Sequence, residues 1–105
     1  MLVTEQEKKI AAQIFFDKCF TSYGTYSICG INSLYQFING GGNNLYQDGM
    51  DEVFKDYKFL SLLNGLSFKD FPPETKVKVI TATQHIFSEM GYMVDVKASH
   101  NRLIE

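Results

Sequence analysis

The apolar positions of the chain are most regular between residues 27 and 44, which read SICGINSLYQFINGGGNN. They recur at the three- and four-residue spacing of a helix. They form two neighbouring stripes, with Ile28, Ile31, Tyr35 and Ile38 on one and Leu34 and Phe37 on the other. No charged residue stands between Cys19 and Gln47. Because a helix without a charged face is usually buried or covered by a partner, we expect the rest of the fold to be built around this helix.

The pattern before this stretch predicts another helix. Residues 4–7, Thr-Glu-Gln-Glu, fit a capping box, so a helix is predicted from about Glu5 to about Thr21. Its predicted core side contains Ile10, Ala11, Ile14, Phe15 and Cys19. Gly30 lies in the first turns of the central helix, where it costs about 1 kcal/mol relative to alanine, and such a glycine often marks the close approach of another backbone. We expect that close approach to come from the first helix.

Two more helices and a strand are predicted after the glycine-rich loop. The third predicted helix runs from near Asp48 to residue 63. It is followed by a connector at residues 66–71 that suits a β-bridge. The fourth predicted helix begins at residues 72–74 and ends at Gly91. Apolar and polar residues then alternate over 92–97, which indicates a strand. Its predicted partner is residues 1–3, 66–68 or 102–105, or a second copy of the chain, since a lone strand leaves backbone groups unpaired. The expected fold is a single α+β domain over residues 1–105, mostly helical, with about four helices and a C-terminal β-strand.

Composition and charge argue against two classes of function, nucleic-acid binding and membrane insertion. The 105 residues contain 45% hydrophobic residues and carry a formal net charge of −2. The charge is interspersed without a basic run, so the sequence argues against nucleic-acid binding. A helix-turn-helix interpretation fails because Asp48, Asp51 and Glu52 would open the recognition helix. No apolar run is long enough for a membrane span and no signal core follows Met1, so we expect a cytoplasmic protein in which Cys19 and Cys29 are free thiols.

Cys29 is the candidate nucleophile if the protein is an enzyme. With Ser27 as helix cap, Cys29 would sit in the first turn, where the helix dipole favours a thiolate. His85 or His100 would act as base, oriented by Asp95 or an Asn, in a small Cys/His hydrolase. The Cys29-Gly30 pair opening an apolar helix resembles the nucleophile helix of papain-like cysteine peptidases. The oxyanion Gln of those families is missing between residues 23 and 28, and Asn32 stands where the papain-type pattern has a second Cys.

The spacing of the Cys, His, Gly and acidic residues along the chain does not match known metal, cofactor or phosphate sites. Two Cys and two His are too scattered for a zinc site. The loop at 40–42 lacks the Lys-Ser or Lys-Thr of a P-loop and follows a helix instead of a strand. The acids that follow it do not match the spacing of a calcium loop. We therefore expect no cofactor and no metal.

The leading hypothesis is a small non-enzymatic protein-interaction module, such as an inhibitor or adaptor of bacterial or phage type. Tyrosine is enriched at protein interfaces and charge is depleted at their centres. The predicted binding residues belong to the uncharged, Tyr- and Gly-rich part of the chain: Tyr23, Tyr26, Gly41, Asn43, Asn44 and Tyr46. The expected partner is another protein or a second copy. A third hypothesis, besides the Cys29 hydrolase, is a small-molecule or nucleotide binder in which aromatic rings stack a base.

Overall fold

The computed structural model of the protein describes residues 4–20, 24–38 and 51–96, and 67% of these residues are helical. The longer helices are α1 (Glu5–Lys18), α2 (Cys29–Ile38) and α4 (Pro73–Glu89). A short helix α3 (Phe59–Leu63) and one 3₁₀ turn (Phe68–Asp70) lie between α2 and α4. Residues 51–53 are also helical. The mostly helical character predicted from the sequence is therefore confirmed.

Helix α1 begins with the predicted capping box. The amide of Glu7 donates to Thr4 Oγ1 at 3.1 Å, and the Thr4 amide donates to Glu7 Oε1 at 3.4 Å. The core side of α1 differs from the prediction, because Phe16 is fully buried while Ile10 and Ile14 are 53% and 48% exposed. The Phe16 ring packs edge-on against Phe87 of α4 at 5.5 Å between centroids. Burying this larger side chain turns the two isoleucines away from the core.

Gly30 lies where α2 packs against α1, as the sequence predicted. A Cβ atom at this position would overlap the backbone carbonyl oxygen of Phe15 and lie 2.6 Å from Cys19 Sγ. The two helices also meet through Phe15 and Phe37, whose rings pack edge-on at 5.9 Å. The missing side chain thus permits the close approach of α2 to the end of α1.

Two isolated β-bridges join the connectors around this helix pair. Phe20 pairs with Tyr26, and Thr25 pairs with Ser67. The Tyr26 amide donates to the carbonyl of Leu66 at 3.0 Å. The bridge expected in the connector after α3 is therefore present, and its partner is the segment that leads into α2.

The predicted third helix is interrupted. Residues 54–58 form turns between the helical residues 51–53 and α3, and the amide of Tyr57 donates to the carbonyl of Phe54, three residues back. Phe54 and Leu60 are both buried. Six residues apart on one helix they would face directions about 120° apart, so the break lets both side chains reach the core.

The prediction of a C-terminal β-strand is wrong, since residues 92–96 belong to no β-ladder and no strand occurs in the described part of the chain. The fold class is correspondingly helical instead of α+β. The alternation itself is real: Tyr92 and Val94 are buried, while Met93 is 96% exposed. The hydrogen bonds that a neighbouring strand would provide come instead from glutamine side chains of α1 and α4. We call residues 92–96 the C-terminal strap.

Candidate functional site

The first turn of α2 is the part of the structure where the candidate nucleophile is found. The Cys29 amide donates to Ser27 Oγ at 3.2 Å, and the Ile28 amide donates to Asn64 Oδ1 at 2.9 Å. The next two amides, of Gly30 and Ile31, face the sulfur of Cys19 at the end of α1 and lower the pKa of its thiol. The thiol of α1 therefore caps α2, and the positive end of this helix points at Cys19 and not at Cys29.

Cys19 is nevertheless held as a neutral thiol. Its side chain is fully buried, and its Sγ donates to the carbonyl oxygen of Phe15 at 3.6 Å. Burial raises the pKa of Cys19 to about 12, and the amides of Ile31 and Gly30 offset only part of that effect. A protonated, enclosed thiol is a structural group and not a nucleophile.

Cys29 is exposed and free, but the structure assembles no base beside it from the described residues. His85 lies exposed on α4, and its Nδ1 pairs with the hydroxyl of Tyr57 at 3.1 Å. The backbone of Asp95, the residue expected to orient the base, is hydrogen-bonded by Gln13. His100 lies outside the described residues. Within the described residues, the hydrolase arrangement is therefore reduced to a solvent-exposed cysteine.

Tyr26, which the sequence placed on the binding surface, is a core residue with 0% exposure. Its hydroxyl lies 2.9 Å from Thr83 Oγ1, which itself donates to the carbonyl of Val79 at 2.7 Å. Because the Thr83 proton is committed to Val79, Tyr26 is the donor to Thr83. Burial raises the pKa of Tyr26. This correction removes Tyr26 from any binding patch.

The other predicted binding residues, Tyr23, Gly41, Asn43, Asn44 and Tyr46, lie outside the described residues. The neighbouring helix α2 is described, and its more accessible positions include Cys29, Asn32, Ser33 and Gln36. All four are uncharged. The described helix therefore presents an uncharged face towards solvent.

An apolar surface on α1 was not predicted from the sequence. Ile10 and Ile14 are one helical turn apart, so their side chains are neighbours on the exposed side. Ala11 and the half-buried Phe15 continue this surface towards Phe37 of α2. We call Ile10, Ala11, Ile14, Phe15 and Phe37 the α1 apolar surface. The signal for it was present in the sequence: Ala12 and Phe16 lie on the opposite side of the helix from Ile10 and Ile14, and only one of two opposite sides can face the core.

One open depression lies beside the turn at residues 54–58. It is lined by acidic and basic side chains together with a phenylalanine and a serine, namely Asp51, Glu52, Phe54, Lys55, Lys58 and Ser61. The aromatic ring at this place belongs to Phe54, which is only 7% exposed and offers no face for stacking a base. This depression does not have the features of a nucleotide site.

Comparisons with protein-family models, with curated proteins and with solved structures found no match to the chain. No group of three or more His, Cys, Asp or Glu side chains gathers into a metal-binding cluster among residues 4–20, 24–38 and 51–96. In the same ranges, no helix combines the length and apolarity needed to cross a membrane.

Proposed function

We propose that the protein is a small non-enzymatic interaction module, of the inhibitor or adaptor kind, which binds another protein through the α1 apolar surface and the uncharged face of α2. The observation that carries the proposal is the exposure of Ile10 and Ile14 on the side of α1 that faces away from the core. These two adjacent half-exposed isoleucines do not belong to the buried core cluster. Contiguous exposed apolar area on a small domain is typical of an interaction site.

The charge pattern around this surface also supports the proposal. The whole of α2 lacks charged residues, and interface centres are depleted in charge. Lys18 borders the surface, with its Nζ 5.6 Å from the centre of the Phe15 ring. An apolar centre with charge confined to its border is the usual organisation of a protein–protein interface. The cytoplasm is the proposed location because two free thiols suit a reducing compartment.

The experiment is a pull-down from the native host with purified protein carrying Ile14→Glu. Since Ile14 is 48% exposed and outside the core, the variant should unfold at the same denaturant concentration as the wild type and lose the captured partner. Leu62→Glu is the matched control, because Leu62 is also an exposed aliphatic residue on a helix, at 80% exposure.

The proposal is supported if Ile14→Glu loses a protein that both the wild type and Leu62→Glu retain. Equal capture by all three proteins would show that the α1 apolar surface is not the binding site. A loss of stability in Ile14→Glu comparable with that of a core substitution would show that the isoleucine is part of the fold.

The second candidate function is a small hydrolase that uses Cys29. One observation favours it: the Cys29 thiol is exposed at the start of α2. Cys29→Ser separates the two proposals. An interaction module keeps its partner after this change, whereas a cysteine hydrolase loses its activity.

A further inference from the structure

The C-terminal strap is held by side-chain amides that bond its backbone. Gln13 of α1 donates from Nε2 to the carbonyl of Asp95 at 2.9 Å and accepts the amide of Asp95 at Oε1, also at 2.9 Å. The pair therefore reproduces the two hydrogen bonds that one residue of a neighbouring β-strand would make. The second proton of Gln13 Nε2 is donated to Asp17 Oδ1 at 3.2 Å, which fixes the orientation of the amide.

The opposite side of the strap is held by α4. Gln84 Nε2 donates to the carbonyl of Val94 at 3.1 Å. Tyr92 and Val94 are each 8% exposed, and Val96 packs against the core, so every second side chain enters the cleft between α1 and α4. The cleft thus has the features of an extended-peptide site: backbone recognition by polar groups and apolar pockets for alternate side chains.

The strap is connected to α4 by one glycine hinge. Gly91 has a φ of +98°, and its amide donates to the carbonyl of Ser88 at 2.9 Å. The Tyr92 amide donates to the carbonyl of Phe87 at 3.0 Å, which completes a Schellman motif. This turn is what sends the strap back along its own helix. No atom lies within 4 Å of a Cβ built on Gly91, so a side chain there meets only backbone strain.

We propose that the cleft between α1 and α4 also accepts the C-terminal strap of a second copy, so that two chains pair by exchanging their straps. The occupant is identified by the structure itself, because residues 92–96 already fit the cleft. In the exchanged pair Gln13 of one copy bonds Asp95 of the other and Gln84 bonds Val94 in the same way. Only the hydrogen bonds of the hinge turn, such as that from the Tyr92 amide to Phe87, are lost. The balance between the two arrangements is then decided by the hinge and the protein concentration. The inference does not depend on the proposed function, which concerns the outer side of α1.

The test compares two glycine substitutions of equal local strain. Gly91→Val disfavours the left-handed turn that folds the strap back, and we expect sedimentation velocity to show dimerisation at least tenfold tighter than for the wild type. Gly65→Val is the matched control, since Gly65 has a φ of +82° and also has no atom near its Cβ position. It should sediment as the wild type does. Adding Gln13→Ala to Gly91→Val should reduce the gain, because the hinge variant disfavours the folded-back strap and the exchanged strap keeps only Gln84 as a backbone partner.

Gly91→Ala serves as a milder hinge variant, and a smaller shift in the same direction is expected. The proposal is overturned if the folded hinge variants are as monomeric as Gly65→Val. It is also overturned if Gln13→Ala leaves the dimerisation of Gly91→Val unchanged, because the copies would then associate through another surface.

A measurement on the wild type keeps the test independent of how the hinge variants fold. A synthetic peptide of residues 91–96, in large excess, should displace the protein's own strap and raise the hydrogen-exchange rate of the Asp95 amide at least threefold. The matched control is the same peptide with V94D, which puts a charge into the apolar cleft. An unchanged exchange rate with the first peptide would show that the cleft takes no external strap.

Discussion

Replacing Gly30 by alanine tests how closely α2 approaches α1. The added Cβ would overlap the carbonyl oxygen of Phe15 and lie 2.6 Å from Cys19 Sγ. The first of these atoms belongs to the backbone of α1 and has no rotamer by which to move aside. We therefore take about 3 kcal/mol, the upper end of the range for overpacked cores. Alanine stabilises a helix by about 1 kcal/mol relative to glycine, which offsets part of this. The net loss is about 2 kcal/mol.

The assay is urea unfolding followed by circular dichroism at the helical minimum. A loss of about 2 kcal/mol corresponds to a fall of about 10 °C in the melting temperature of a domain of this size. Asn32→Ala in the same helix is the control, since it gains helix propensity at a position about 160° round the helix from Gly30. If Gly30→Ala unfolds within about 0.5 kcal/mol of the wild type, a difference typical of surface positions, the close helix contact is refuted. If it is more stable than the wild type, helix propensity outweighs packing at this junction and the reasoning fails.

Three further predictions concern the buried thiol and the buried phenol. The free energy of unfolding should fall above pH 9 by up to about 1.4 kcal/mol per pH unit. The cause is that folded Cys19 keeps its proton up to a pKa of about 12 while the unfolded thiol loses it near 9. Cys19→Ala should remove the slope between pH 9 and pH 10, whereas above pH 10 the raised pKa of buried Tyr26 adds a slope of the same sign that remains in this variant. A flat wild-type profile between pH 9 and pH 10 would contradict the prediction. Tyr26→Phe should lower the free energy of unfolding in urea by about 1 kcal/mol, because one buried hydrogen bond to Thr83 is lost. An unchanged free energy of unfolding would show that this hydroxyl is in contact with water. Under native conditions iodoacetamide should modify Cys29 and leave Cys19 unmodified until unfolding, as read by mass mapping; native labelling of Cys19 would show that the junction of α1 and α2 opens.

Local sequence signals led to correct predictions where a short-range interaction decides the structure. The capping box at Thr4, the opening of α4 by Pro73 and the left-handed turn at Gly91 each involve residues within one helical turn. The close approach at Gly30 was also predicted, because a glycine that weakens an apolar helix often marks a place where a neighbouring backbone occupies the space of a side chain.

Predictions that depended on choosing between two local possibilities were wrong. Helix α1 has apolar stripes on two sides, and periodicity alone cannot say which one meets α4. The alternation at residues 92–96 correctly predicted which side chains are buried but not the partner of the backbone, because Gln13 is 82 positions away in the chain from Asp95. Of the candidate site, the sequence identified Cys29 as a possible nucleophile by its place at a helix start, but the exposure of its thiol is known only from the structure. The sequence placed Tyr26 on the surface, whereas it lies in the core.

The sequence by itself determined the helical character of this protein, the positions where its first and last long helices begin, and the absence of charge along α2. These properties follow from hydrogen bonds and side-chain spacing within a few residues. Only the tertiary structure decided which apolar stripe of α1 faces outwards, that Cys19 instead of Cys29 receives the amides of α2, and that glutamines replace a β-strand beside the C-terminal strap. Each of these depends on which surfaces pack together. Side chains that are distant in the sequence can fill the same core volume or bond the same backbone groups, and local propensity does not predict which of them do so.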